Sequence, residues 1–175
     1  MNEAETRQEL ITPSIRAAGW EGDDCRIRAE FPITIGRLVG GGQRAQSLTA
    51  DYVLEYRNRR LAVIEAKAQH KYYTDGVAQA KQYAEHLDIQ FAFATNGERI
   101  YSIDMQTGEE KEIDRFPSPQ EIWANTFPEE VENKNPEIWS WKQGLQDIPY
   151  ELYKGKYLPY YFQQNAIVKI LDAIA

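Results

Sequence analysis

The sequence predicts an α/β domain in which helices flank a mixed central β-sheet. Residues 60–68 carry the clearest signal, because this strand-like run is apolar on both faces near its middle. A strand of that kind is buried on both faces, inside a sheet with helices packed against it. Helical spacing of apolar residues over 3–18 and 74–87 supplies such helices. With 42% hydrophobic and 12% aromatic residues among 175, the chain has enough apolar material for a core.

The first predicted elements are a helix and an edge strand. Apolar residues recur at helical spacing over residues 3–18, Gly19 stands where a C-terminal cap is expected, and Pro13 predicts a kink or a break. Residues 25–35 are strand-like, and Pro32 indicates a position at the edge of the sheet.

A glycine-rich segment, Gly40-Gly41-Gly42-Gln43-Arg44, follows the edge strand. A phosphate-cradling loop is the tempting interpretation. No Gly-Lys-Ser/Thr follows the glycines, however, and no strand leads directly into a helix there. We therefore expect a plain mobile loop and no nucleotide site.

Two central strands are predicted next, at residues 50–57 and 60–68, and a helix follows them. Thr74 is the expected N-cap of that helix, because its hydroxyl can accept from a free backbone N–H of the first turn. The helix is expected to run to about Leu87, with small and aliphatic residues on its buried side.

Two further turns predict antiparallel strand pairs. Strands at residues 91–95 and 99–103 are joined by Asn96-Gly97, a strong hairpin signal. A second hairpin turn is expected at Thr107-Gly108.

The last third of the chain predicts three unequal parts. A short helix near residues 119–125 completes a first domain of residues 1–125, and proline-rich residues 126–159 form a connector. Residues 160–175 are helical in pattern and stop without a cap, so we expect the polypeptide to continue beyond them.

Charge and cysteine content narrow the functional class. A net charge of −7 argues against a free-standing nucleic-acid binder, but not against an enzyme whose DNA is delivered by other domains. The single cysteine, Cys25, excludes an internal disulfide framework and fits a reducing compartment. No signal peptide and no membrane-spanning run are found, so a cytoplasmic protein with no membrane partner is expected.

Three charged residues on the two central strands form the candidate site. Asp51 lies on the first strand, and Glu65 and Lys67 lie on the second. Charges on buried strands are costly unless they have partners, and such a conflict between fold and residue type usually marks function. Two carboxylates suit Mg²⁺, which prefers oxygen ligands and keeps several waters, and the backbone carbonyl of Ala66 is the expected third ligand.

This set of groups points to phosphodiester hydrolysis, and so to a nuclease. The reaction needs an activated water and neutralisation of the charge that develops on the phosphate, and a divalent cation supplies both. Side chains alternate along a strand, so Lys67 shares a face with Glu65. As a cation, Lys67 is expected to stabilise charge and orient the water. A surface hairpin with a cross-strand ion pair is the alternative.

The register between the two strands decides whether the acids meet. A two-residue turn at Asn58-Arg59 would place Asp51 opposite Ala66, with the two acids on opposite faces. The site needs an odd loop or a bulge. A three-residue loop at 57–59, which would bring Asp51 opposite Glu65, is the expected solution.

Gln79 and Tyr83 are candidate assisting residues. They lie four apart on the predicted helix, so they share a face, offset from its apolar stripe. The amide and the hydroxyl could bind a phosphate oxygen or hold a metal-bound water. A solvated polar flank is the alternative.

Weaker candidates lie outside this helix. Glu5 and Glu9 are four apart on the first helix, and Glu5 could reach the metal as an outer acid, with an ordinary charged face as the alternative. His70, Lys71 and Arg44 could contact the DNA backbone.

These residues resemble the PD-(D/E)xK nuclease superfamily. The match consists of Asp51, then Glu65-Ala66-Lys67, then Gln79-Ala-Lys-Gln-Tyr83, which is similar to the Gln-x-x-x-Tyr element of one branch. Ala50 stands where the family pattern has proline. More specifically, the chain resembles the N-terminal nuclease domain of the restriction (motor) subunit of type I restriction enzymes. That resemblance rests on residues 5–20, Ala50-Asp51-Tyr-Val-Leu, Ile64-Glu-Ala-Lys67 and Ala94-Thr-Asn-Gly97, with residues 160–167 similar to the entry of the helicase motor.

The resemblance implies a restriction-endonuclease-like core and an Mg²⁺-dependent endonuclease that cuts double-stranded DNA. It implies Asp51, Glu65 and Lys67 as the catalytic trio, with Gln79 and Tyr83 assisting. Methyltransferase and specificity subunits are the implied partners. ATP-driven translocation would belong to sequence outside this chain, because no Walker lysine motif is present. A catalytically silent docking module and a junction-resolvase-like nuclease are the alternative functions.

Overall fold

The computed structural model describes residues 1–34, 38–39, 43–44, 48–128 and 161–174. In these ranges the helices are α1 (Glu3–Thr6), α2 (Thr12–Ala17), α3 (Val77–Leu87), α4 (Pro119–Thr126) and α5 (Tyr161–Ile174). The strands are β1 (Cys25–Thr34), β2 (Leu38–Val39), β3 (Gln43–Arg44), β4 (Leu48–Tyr56), β5 (Arg59–Ala66), β6 (Phe91–Thr95), β7 (Ile100–Asp104) and β8 (Glu110–Ile113). None of the helices in these ranges is both long enough and apolar enough to cross a membrane.

The described strands form a six-stranded sheet in the order β1-β4-β5-β6-β7-β8, with β2 and β3 paired separately. Neighbouring strands are antiparallel except β5 and β6, which are parallel. The sheet is therefore mixed, as predicted, and β1 lies at its edge, as Pro32 indicated. Strand β5 is central and buried from Leu61 to Ala66, which confirms the prediction made from its apolar faces.

The N-terminal helix has a π-helical turn, Arg7–Ile11, between α1 and α2. Pro13 lies inside this continuous helix, directly after the wide turn, which makes room for the proline ring that would otherwise clash with the preceding turn. Gly19 follows the helix at a φ of +95°, the left-handed conformation expected of a C-terminal cap.

The predicted loop between β4 and β5 is wrong in detail. The turn is two residues long, because Tyr56 pairs with Arg59, and both turn residues, Arg57 and Asn58, have positive φ. The odd residue is supplied instead by a bulge in β5. Between the pairs Glu55–Arg60 and Leu54–Ala62, Leu61 is the extra residue, and every pair beyond it is shifted by one.

One other local prediction also needs correction. Thr74 does not cap α3: Tyr73–Gly76 forms a 3₁₀ turn, and Gly76 occupies the N-cap without a side-chain hydrogen bond. The hairpin between β6 and β7 is confirmed, and its loop is four residues long because Thr95 pairs with Ile100. The Thr107-Gly108 turn between β7 and β8 is confirmed, with Gly108 at a φ of +75°.

Helices cover both faces of the sheet. On one face the core combines the N-terminal helix and α4 with the sheet, through Ile11, Ile15, Trp20, Leu54, Ile64, Phe93, Phe116, Ile122 and Trp123. On the other face α3 packs through Ala80, Tyr83, Ala84, Leu87, Val53, Val63 and Ala92. Helix α5 contacts the end of α3, where Asn165 donates to the His86 carbonyl and Lys169 pairs with Asp88. The glycine loop at 40–42 and connector residues 129–160 lie outside the described residues.

Candidate functional site

The bulge at Leu61 brings the two acids together. Past the bulge, Val53 pairs with Val63 and Tyr52 with Ile64, so the same register carries Asp51 to the position opposite Glu65. The Asp51 carboxylate accepts a hydrogen bond from the Ala66 N–H through Oδ2, at 2.7 Å. The requirement stated from sequence is therefore met, by a bulge and not by a three-residue loop.

Lys67 joins Glu65 to the helix that follows. It comes directly after β5, and its Nζ donates to Glu65 Oε1 at 2.6 Å and to Gln79 Oε1 at 2.7 Å. The Glu65 side chain is 6% exposed and that of Lys67 is 17% exposed, so water screens this ion pair poorly. The short contacts hold the ammonium group in one place beside the acids.

The surroundings of Glu65 disfavour its charge. Burial is the largest cause, and the negative charge of Asp51 adds to it, so the pKa of Glu65 is raised to about 7 in spite of the hydrogen bond from Lys67. The buried carboxyl group of Glu65 thus lacks full compensation for its charge. A divalent cation held by the acids would supply that compensation.

The raised pKa predicts a pH-dependent stability of the metal-free chain. The folded protein keeps a proton on Glu65 between pH 4.5, its ordinary pKa, and about 7, whereas the unfolded chain releases it. The stability due to this group is therefore present below pH 4.5 and lost as the pH rises through about 7. When the pH is raised from about 5 to about 8 in the presence of a metal chelator, we expect the unfolding free energy of wild type to fall by on the order of 2 kcal/mol more than that of Glu65→Gln.

Urea denaturation at both pH values measures this difference. Glu85→Gln is the matched control, because Glu85 is an exposed glutamate on α3. Parallel pH dependence in wild type and Glu65→Gln would show that the Glu65 pKa is not raised.

Gln79 and Tyr83 both reach the site from α3. Gln79 accepts from Lys67, and Tyr83 is buried, with 6% of the residue exposed. Burial, and then the negative charges of Glu65 and Asp51, raise the pKa of Tyr83, while a hydrogen bond with Gln79 opposes the rise. Tyr83 is thus a protonated, buried neighbour of the acids, and the interpretation of a solvated flank does not hold for it.

Gly76 allows α3 to approach the site. A Cβ on Gly76 would lie 2.8 Å from Glu65 Cγ, closer than packed carbon atoms tolerate, and 3.4 Å from Lys67 Cε, at the limit of ordinary contact. The N-cap that Thr74 was expected to supply is therefore a glycine for a steric reason. This residue was missed from sequence, where Thr74-Asp75-Gly76 indicated only the start of a helix.

A buried hydrogen-bond network fixes the chain beyond Lys67. The Thr6 hydroxyl accepts from the Gln69 N–H at 3.1 Å, and the Asn96 side chain donates to the carbonyls of Gln69 and Lys71 at 3.2 and 3.0 Å. Asn96 also accepts from two N–H groups of its own loop. Asn96 thus opens the hairpin loop and also tethers it to the segment after β5.

The weaker candidates do not join the acids in the structure. The Glu5 carboxylate accepts from the Asn2 N–H at 2.9 Å in a capping box at the exposed start of α1. His70 and Lys71 are exposed on the loop after β5, and the side chain of Arg44 lies outside the described residues. Across the ranges that the structure describes, no group of three or more His, Cys, Asp and Glu residues is arranged to hold a metal.

Arg7 is an unpredicted member of the site. Its Nη1 lies 3.5 Å from Asp51 Oδ1 and 3.4 Å from Glu30 Oε1, and its guanidinium carbon lies 5.1 Å from the centre of the Tyr52 ring. Burial opposes its charge, but a hydrogen bond to Tyr52 and the charge of Asp51 raise the pKa of Arg7. The contact joins residues far apart in sequence, so no local pattern could have indicated it.

Glu30 lies on β1, next to the strand that carries Asp51, and has a strained backbone. The pairs Ala29–Tyr52 and Phe31–Ala50 put Glu30 opposite Asp51, and its φ of 52° interrupts the ladder there. A left-handed conformation in a residue with a Cβ is costly and persists only where the surrounding structure enforces it. The acid-bearing positions of three neighbouring strands thus align at one place.

The donor set suits a hard cation. Asp51 and Glu65 offer only oxygen atoms, and Mg²⁺ needs one or two carboxylates because it keeps several waters. The pKa of Glu65, raised by its burial and then by the charge of Asp51, is the structural observation that agrees with such an ion. Asp51 and Glu65 would hold it, with the Ala66 carbonyl as the third protein ligand.

The fold and the site define an α/β domain whose mixed sheet presents two acids and a lysine at one end of a buried strand. Comparison with known proteins gives the family. The model of the type I restriction enzyme R protein N terminus (HSDR_N) matches residues 2–117. The chain therefore belongs to this family, as its resemblance to the restriction subunit indicated.

Two relatives support the assignment. The type I restriction enzyme EcoAI endonuclease subunit of Escherichia coli is 34% identical over 192 aligned positions, which cover 100% of this chain and 22% of the relative. A solved fragment assigned to an HsdR subunit of a type I restriction enzyme from Vibrio vulnificus YJ016 has a TM-score of 0.81 and 33% identity. The aligned region covers 99% of this chain and 32% of the chain in that structure. The chain thus spans less than a third of each relative's length.

Proposed function

We propose that this chain is the Mg²⁺-dependent endonuclease domain of a type I restriction-modification enzyme. It would hydrolyse phosphodiester bonds of double-stranded DNA after ATP-driven translocation by a motor outside this sequence. The observation that carries the proposal is the bulge at Leu61, which aligns Asp51 with Glu65 and leaves Lys67 Nζ 2.6 Å from Glu65. The core would then be restriction-endonuclease-like.

Each side chain has a distinct part in this proposal. Asp51 and Glu65 would hold the cation, whose chemistry would be to activate a water and to neutralise developing charge on the phosphate. Lys67 stabilises that charge and orients the water, and Gln79 fixes the Lys67 ammonium group. Tyr83 supplies a hydroxyl from the buried side of α3, where it shares a hydrogen bond with Gln79.

The surrounding assembly is proposed from the relatives. Their names describe a restriction endonuclease subunit and a restriction enzyme fragment. Methyltransferase and specificity subunits would recognise the DNA, so this domain needs no basic surface of its own, and its net charge of −7 is compatible with cutting. The cytoplasm is the proposed compartment.

Magnesium titration of Asp51→Ala tests the metal site. The full-length subunit, assembled with its partners, is titrated calorimetrically and assayed for DNA cleavage with ATP. We expect Asp51→Ala to weaken Mg²⁺ binding at this site roughly tenfold or more and to lower cleavage with it, while ATP hydrolysis persists. Asp114→Ala, at an exposed aspartate after β8, should behave as wild type.

Equal Mg²⁺ binding in wild type and Asp51→Ala would remove Asp51 as a ligand. Wild type that hydrolyses ATP without cutting DNA would instead favour a docking module. Cutting confined to branched DNA would favour a junction-resolvase-like enzyme.

A further inference from the structure

We propose that Arg7 contacts the DNA phosphate at the site of cleavage, an inference that rests on the proposed nuclease function. Arg7 reaches Asp51 from the N-terminal helix, whereas Lys67 contacts Gln79 of α3. Its side chain is 17% exposed, similar to the 16% of Asp51, so both border the same partly open site.

The position of Arg7 follows from the two oxygens of Asp51. Oδ2 accepts from the Ala66 N–H at 2.7 Å, whereas Oδ1 faces Arg7 Nη1 at 3.5 Å. A phosphate that is hydrolysed at this site must lie against Asp51 and Glu65. It would therefore lie beside the Arg7 guanidinium as well.

Arg7 is also the cation with the weaker hold on the acids. Lys67 makes contacts of 2.6 and 2.7 Å to Glu65 and Gln79. Arg7 approaches Glu30 and Asp51 only to 3.4 and 3.5 Å, beyond the roughly 2.7–2.9 Å of a strong charge-assisted hydrogen bond. Both carboxylate contacts, moreover, use the single nitrogen Nη1.

The chemistry of the side chain favours a phosphate. A guanidinium presents five N–H donors in a planar fork, which matches two phosphate oxygens at once. Packing of the guanidinium over the Tyr52 ring holds that plane in a defined orientation. Glu30 is a weak competitor, because its side chain is 74% exposed and its ion pair is screened by water.

Arg7→Gln and Arg7→Lys in the assembled full-length enzyme test the inference. We expect Arg7→Gln to lower DNA cleavage about 100-fold, because it removes charge stabilisation at the phosphate. Mg²⁺ binding should be at least as tight as in wild type, since a positive charge beside Asp51 is gone. Arg7→Lys should recover part of the rate, because it restores the charge without the fork. Arg16→Gln, at an exposed arginine of α2 paired with Glu21, is the matched control.

The salt dependence of DNA affinity gives a readout that does not need cleavage. Loss of one phosphate contact should make the slope of log affinity against log salt shallower by about 0.9 in Arg7→Gln, and Arg7→Lys should restore it. An unchanged slope overturns the inference. Weaker Mg²⁺ binding with cleavage rescued by excess Mg²⁺ also overturns it, because Arg7 would then only position Asp51. Failure of wild type to cut refutes the nuclease proposal separately.

Discussion

Replacement of Lys67 by alanine is expected to lower DNA cleavage by the assembled enzyme about 1,000-fold. The Lys67 ammonium group is held by Glu65 and Gln79 at 2.6 and 2.7 Å, so it is already in place to stabilise charge and needs no reorganisation during the reaction. Lys67 Cε lies so close to Gly76 that an added Cβ there would be 3.4 Å from it, which leaves little room for the broader guanidinium group of an arginine at position 67. Lys67→Arg should therefore remain nearly as inactive as Lys67→Ala.

The controls separate chemistry from metal binding. Lys67 lowers the pKa of Glu65, so without it a proton would compete more strongly with Mg²⁺ near neutral pH. Mg²⁺ binding is therefore compared at about pH 8.5, where Glu65 should be mostly ionised and the affinity of Lys67→Ala should approach that of wild type. Lys111→Ala, at an exposed lysine of β8 that pairs with Glu109, should cut at nearly the normal rate. Unchanged cleavage in Lys67→Ala, with ATP hydrolysis intact, would refute the nuclease assignment.

The arrangement within each strand could be predicted from sequence because it depends only on local geometry. Alternation along β5 puts Glu65 and Lys67 on one face, and their Nζ–Oε1 contact follows. Apolar residues on both faces of β5 likewise predict its central place in the sheet. The side of α3 on which Gln79 lies could likewise be predicted, because helical spacing fixes the position of Gln79 relative to the buried alanines.

The alignment between strands could not be predicted in the same way. The turn places Arg57 at a φ of 50°, a conformation that arginine does not favour, and nothing in the composition of β5 marks Leu61 as a bulge. Strand β5 is apolar and buried on both of its faces, so the pattern of its own residues does not specify the register. Register is thus a property of the whole sheet.

Contacts between distant segments were missed altogether. In sequence, Arg7 on a charged helix cannot be told from a solvated arginine. Thr6 is fully buried in the structure, but as a polar residue it gave little sign of that in the sequence. Thr6 does follow the helical spacing of the buried side, four residues before Leu10, which is a weak signal that it faces inward. Asn96 gave the opposite problem, since its strong turn signal concealed a tethering role.

Substitution of Gly97 by alanine is expected to lower the unfolding free energy of the chain by about 2–4 kcal/mol. Gly97 has a φ of +86°, so a side chain there adopts the disfavoured left-handed conformation. An added Cβ would also lie 2.8 Å from Leu10 Cβ and 3.0 Å from Thr6 Cγ2. Neither atom can yield easily, because both are close to the backbone of the N-terminal helix. Urea denaturation measures the loss.

Gly108→Ala separates the two causes. Gly108 has a similar φ of +75°, but a Cβ there would meet nothing within 4 Å. Its alanine variant should therefore show only the backbone cost of about 1 kcal/mol. Equal losses in the two variants would mean that the helix does not press on Gly97. If it does, Gly97→Ala must also displace the helix that carries Arg7, and cleavage should fall in this variant but not in Gly108→Ala.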